Sequence, residues 1–185
     1  MKMSRRRIVV DVLVLVGVGL IAAVATPFLV VIAWFEKMGR RARRGRERLF
    51  FETDYQELLA ACRELSRQQA SGTLKKPLYH VHLGERDPET LSFPQVILDL
   101  EPAVIRMDHD GVCIELVPGP DWYGVLAFPE GGREWGDVKL IDGLWYSDPE
   151  YRDAYPDYME EINAMIEKGR QLRANRQTPR TPLPQ

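Results

Sequence analysis

The stretch AVIRMDHDGVCIELV, residues 103–117, decides the fold. Residues 103–108 and 112–117 each alternate apolar and polar side chains around Asp110-Gly111. An Asp-Gly step between two alternating runs is a strong signal for a tight β-hairpin. Pairing across it sets Ile105 opposite Leu116, Met107 opposite Ile114 and, on the other face, Arg106 opposite Glu115. One face is apolar and the other polar, so the hairpin is antiparallel and half-buried; if Gly111 has positive φ, a β-branched residue there would destabilise the turn.

Working outward, residues 78–83 alternate as another strand, with Tyr79, Val81 and Leu83 on one face and His80 and His82 on the other. Ser92 and Gln95 have capping-box spacing ahead of a short helix carrying Phe93, Val96, Ile97 and Leu100, stopped by Pro102. Thr53 and Gln56 repeat that spacing before a helix whose stripe is Tyr55, Leu58, Leu59, Cys62 and Leu65, closed by Ser71-Gly72. Downstream, 122–128 reads as a strand after the turn Pro118-Gly119-Pro120, and 137–141 with 144–146 adds one short strand. A last helix runs from near Pro156 to about Arg173, with Tyr158, Met159, Ile162, Met165, Ile166 and Leu172 as its stripe. The order α-β-α-β-β-β-α describes an α+β domain: a mainly antiparallel sheet of four or five strands with helices over one face. Residues 175–185 are proline-rich without apolar period and are expected to be disordered.

The N-terminal quarter reads differently. Residues 12–35 contain no charged side chain. As a helix they would rise roughly 36 Å, enough to cross a hydrocarbon core of about 30 Å. Trp34 and Phe35 close the run with aromatic rings suited to an interface, and membrane helices tolerate a proline such as Pro27. Ala23-Val24-Ala25 resembles a signal-peptide cleavage site, but the apolar run continues past it into a basic stop sequence, which favours an uncleaved signal-anchor. The chain therefore divides into a short basic tail (1–11), a transmembrane helix (12–35), a basic juxtamembrane collar (36–48), an α+β domain (49–174) and a tail (175–185).

Charge follows the same division. Residues 1–49 hold 11 Lys and Arg against three Asp and Glu, a net of +8, and the remainder holds 14 against 24, a net of −10. An acidic domain repels a phosphate backbone, so nucleic acid is not an expected partner. Seven basic residues follow the apolar run and four precede it, which places the domain on the cytoplasmic side of a bacterial inner membrane. Arg40, Arg41, Arg43 and Arg44 are the expected contacts to lipid headgroups. Gly19 and Ala23 have the small-xxx-small spacing through which two such helices can form a homodimer.

Chemistry-bearing patterns are sparse. His80-x-His82 would share a strand face and, with His109 and Glu85, could ligate a metal ion as a membrane-anchored hydrolase. Against this, two His at i, i+2 on a solvent face need no metal. Cys62 and Cys113 lie at apolar positions outside any ligand spacing and read as buried free thiols, which also argues against a Cys113–His109 nucleophile. No phosphate-binding glycine loop or cofactor fingerprint is present, and no cofactor is expected. Trp122, Tyr123, Trp135, Trp145 and Tyr146 crowd one stretch and form the candidate surface for a protein partner, with core filling as the competing use. The expectation for function is a non-enzymatic interaction or scaffold domain tethered to the membrane.

Overall fold

A computed structural model of the chain describes residues 5–118, 122–128, 138–148 and 156–177, with the side chains of residues 5–22, Val24, Pro156 and Gln177 outside that description. The chain divides into two compact units, Met1–Arg40 and Arg41–Gln185. Helix α1 spans Arg5–Phe51 and contains Pro27. Among the described residues no helix is long and apolar enough to cross a membrane. Within the described part of the first unit, Phe28, Leu29, Val30, Val31, Ile32, Trp34 and Phe35 are all exposed, at 45–66% of their full surface.

The second unit is α+β. Its elements after α1 are α2 (Tyr55–Ala70), β1 (Leu78–His80), a 3₁₀ turn (Pro88–Ser92), α3 (Gln95–Leu98), β2 (Val104–Met107), β3 (Val112–Val117), β4 (Tyr123–Ala127), β5 (Val138–Ile141), β6 (Leu144–Ser147) and α4 (Pro156–Gln177). The six strands form one antiparallel sheet in the order β1-β2-β3-β4-β6-β5. Segments 137–141 and 144–146, expected as one strand, are two strands joined at Asp142-Gly143, with Gly143 at φ +83°. One sheet face, carrying Tyr79, Ile105, Met107, Ile114, Val125, Leu144 and Tyr146, makes the core together with Phe50, Leu58, Cys62, Leu65, Ile97 and Ile162 from the helices.

The hairpin that decided the fold is present with its register moved by two residues. Ile105 faces Ile114 and Met107 faces Val112, so the residues at the tip are His109 and Asp110. A shift of two keeps every side chain on its expected face. Arg106 therefore still reaches Glu115, at 2.6 Å, as a diagonal rather than a directly opposed pair. The turn is held by Asp108, whose Oδ1 accepts from the backbone N–H groups of Asp110 and Gly111, both at 2.9 Å. Gly111 is not at positive φ, so the condition for backbone strain in Gly111→Val is not met. A Cβ there would instead strike the backbone oxygen of Ala127 on β4.

The helix starts also differ. Asp54, not Thr53, caps α2, accepting from Gln56 N at 2.8 Å and Glu57 N at 3.2 Å, while Thr53 Oγ1 donates back to Arg48 O. Pro94 precedes α3 without a side-chain cap, and Ser92 Oγ donates to Glu89 O. On α4 the buried positions are Ile162, Ile166 and Gly169, with Leu172 exposed. The helix runs to Gln177, and residues 178–185 of the expected tail lie outside the described residues.

The largest departure concerns the collar. The compact unit begins at Arg41, eight residues before the expected start at Leu49. Ala42, Gly45, Leu49 and Phe50 are buried, and a Cβ on Gly45 would strike the backbone oxygen of Leu100. Spacings of three and four put Ala42, Gly45 and Leu49 on one side of α1, where the missing side chain of Gly45 lets the helix approach the loop after α3.

Candidate functional site

The half of the collar that enters the second unit builds two polar clusters from adjacent arginines. In the first, Arg41, Arg44 and Arg48 reach one carboxylate, that of Glu101. Arg44 Nη2 lies 2.8 Å from Oε2, Arg48 Nη1 3.1 Å from Oε1 and Arg41 Nε 3.8 Å from Oε2. Arg41 also donates to His82 O at 3.2 Å and Arg48 to Asp99 O at 2.6 Å. Hydrogen bonding from Arg44 holds the Glu101 carboxyl below the usual range, against a smaller opposing effect of burial. Glu101 has φ +51°, the one non-glycine residue at positive φ among those described. It follows the end of α3, where glycine or asparagine is the usual occupant.

In the second cluster Tyr146 and Asp148 are buried and Arg46 and Tyr158 are half-buried. Arg46 Nη1 donates to Tyr158 Oη at 2.7 Å, Tyr158 Oη donates to Asp148 Oδ2 at 2.5 Å, and Tyr146 Oη donates to the same oxygen at 3.0 Å. The Arg46 guanidinium also lies 5.6 Å from the centre of the Tyr123 ring. Burial and the Asp148 carboxylate push both phenols well above their ordinary range, so they remain protonated donors at neutral pH. Burial opposes charge on Arg46, but the phenol oxygens of Tyr146, Tyr158 and Tyr123 outweigh it and raise its pKa. The cluster joins α1, β6 and α4 through donors and acceptors that match.

Two open clefts flank these elements. One, of about 660 Å³, lies between α2 and the β2–β3 turn and is lined by Arg63, Ser66, Arg67, Asp108, His109 and Asp110 among others. Asp108, His109 and Asp110 offer ligand atoms all within 4.8 Å of one another, the one such group among the described residues. His109 is 88% exposed and lies 3.2 Å from Asp110. The other cleft, about 450 Å³, carries Arg48, Glu52, Asp54, Glu57 and Asp99.

The three histidines proposed from sequence are thus divided. Both Val81 N and His82 N donate to Ala103 O, at 3.0 and 3.1 Å, so β1 stops at His80 and the alternation that would align His80 with His82 ends there. Neither belongs to a three-ligand group among the described residues, whereas His109 groups with its flanking aspartates. Burial pushes the Cys62 thiol up to about 12, and burial with Glu115 does the same to Cys113, which leaves both un-ionised at neutral pH.

Of the aromatic set, Tyr146 is in the core, Trp122, Tyr123 and Trp145 are half-buried, and Trp135 lies outside the described residues. Among the expected headgroup contacts, Arg40 pairs with Glu36 at 3.3 Å in the first unit, Arg41 is half-buried, Arg43 is exposed, and Arg44 is exposed while paired to Glu101. The Arg46 cluster escaped sequence reading because its four members are scattered over residues 46–158. The one available signal was the uncharged seam of Ala42, Gly45 and Leu49 at helical spacing among the arginines. Comparison with protein-family models, with curated proteins and with solved structures gives no match for this chain.

Proposed function

We propose that this chain is a single-pass protein of a bacterial inner membrane whose α+β unit is a non-enzymatic interaction domain facing the cytoplasm. The observation that carries this is the exposure of seven large apolar side chains within residues 28–35, at the end of a 24-residue run without charge. Water does not accommodate so dense an apolar surface on a helix, and a hydrocarbon core does. Positive charge past the apolar run holds that flank inside. The rule acts on the chain as it inserts, before Glu101 and Asp148 can neutralise any arginine, so all seven basic residues count. Beyond the collar, residues 50–185 carry a net charge of −10, which suits a basic protein partner.

A reporter fused after Gln185 tests the topology. A fluorescent protein that matures only in the cytoplasm should light up, and a phosphatase that works only in the periplasm should stay inactive. Phosphatase activity would reverse the orientation, and a chain washed off membranes by alkaline carbonate would remove the anchor.

A further inference from the structure

Arg41, Arg44 and Arg48 stand at i, i+3 and i+7 on α1 and converge on Glu101. Arg43, beside them, is exposed and has no ion pair among the described residues. Arg44 is 54% exposed and makes one hydrogen bond to Glu101, so most of its five N–H donors stay available. Glu101 itself occupies a backbone position that glycine or asparagine fills with less strain, and what glutamate adds there is its carboxylate.

We propose that Arg43 and Arg44 bind the phosphate of an anionic phospholipid, and that Glu101 is an internal carboxylate competing with that phosphate for Arg44. The proposal rests on the membrane-anchored reading above. Several observations select a lipid. The site falls within nine residues of Phe35, where the apolar run ends. Clustered arginines beside a membrane span attract anionic headgroups. The net charge of −10 on the remainder of the chain opposes an extended polyanion. Arg41 and Arg48 are tied to the backbone at His82 O and Asp99 O, so a lipid that draws Arg44 away leaves Glu101 still held on both sides.

The test uses the full chain in nanodiscs of equal phosphatidylcholine and phosphatidylglycerol, counting by native mass spectrometry the lipids that stay bound on release. The wild-type chain should retain phosphatidylglycerol over phosphatidylcholine. The double substitution Arg43→Gln with Arg44→Gln should lower that preference several-fold. Glu101→Asn, which removes the charge and suits the left-handed backbone, should raise it about fivefold, the effect of about one charge at a membrane surface. A fall with Glu101→Asn, parallel to the arginine variants, would mean that Glu101 only holds the arginines in place, and overturns the competition. Loss of the preference on adding millimolar inorganic phosphate would make the site a general anion site and overturn the lipid assignment. Failure of the anchor is scored separately by carbonate extraction, and sedimentation with phosphatidylglycerol vesicles then tests the arginines on their own.

Discussion

Arg44 and Arg46 are two residues apart on one helix and live in opposite physical regimes. Arg44 shares Glu101 with two other arginines at a surface where water screens every pair. Arg46 is half-buried at the edge of the core and reaches the buried Asp148 through the hydroxyl of Tyr158. At the surface a missing partner is replaced by water, and in the core nothing replaces it. The same side chain is therefore an adjustable binding element at one position and a structural tie at the other.

Three substitutions separate the two regimes, given in order of expected effect. Asp148→Ala leaves two phenols without their acceptor, one of them the partner of Arg46, and should cost on the order of 3 kcal/mol. Urea denaturation of the full chain in detergent measures it, and a loss near zero would mean that water reaches the cluster. Gly45→Ala puts a methyl group against the backbone oxygen of Leu100 on the seam between the clusters, and should cost about 2 kcal/mol. A neutral result in the same assay would show that α1 does not pack closely on that loop. Glu101→Gln should cost least, on the order of 1 kcal/mol, and the cost should depend on pH. The Glu101 carboxyl is held below its usual range, so its contribution is complete above the unfolded value near 4.3 and fades as pH falls through the lower folded value. Melts of the wild-type and Gln chains should differ at pH 7 and converge towards pH 3, whereas a constant gap would point to packing.

Two Asp-Gly steps show how far local sequence carries. At Asp110-Gly111 the flanking alternation correctly announced a hairpin, yet the residues at its tip are His109 and Asp110, and Gly111 serves the close approach of β4. Asp142-Gly143 joins β5 to β6 with a left-handed glycine, although its flanking strands are only four residues each and show little alternation. A dipeptide signals that the chain reverses. The register comes from which side chains and backbones meet across the sheet, and Gly111 answers to β4, a strand that the hairpin does not contain.

Helix boundaries follow the same division. Thr53 and Asp54 are both competent caps, and Asp54 takes the role because the Thr53 hydroxyl already bonds the last turn of α1. The expectation of a juxtamembrane collar came from counting arginines, a property of composition, while its packing depends on what faces Gly45 from 55 residues further along the chain.

The sequence by itself determined the apolar run, the asymmetry of charge about it, the α+β class and the sheet faces, because periods of 3.6 and 2 and runs of like residues are local properties. Tertiary structure alone decided that the compact unit begins at Arg41, that Arg46 is linked to Tyr146, Tyr158 and Asp148, and that Glu101 collects three arginines. Those outcomes hang on pairings across as many as 112 positions, where a charge is stabilised or penalised by neighbours that no local pattern encodes.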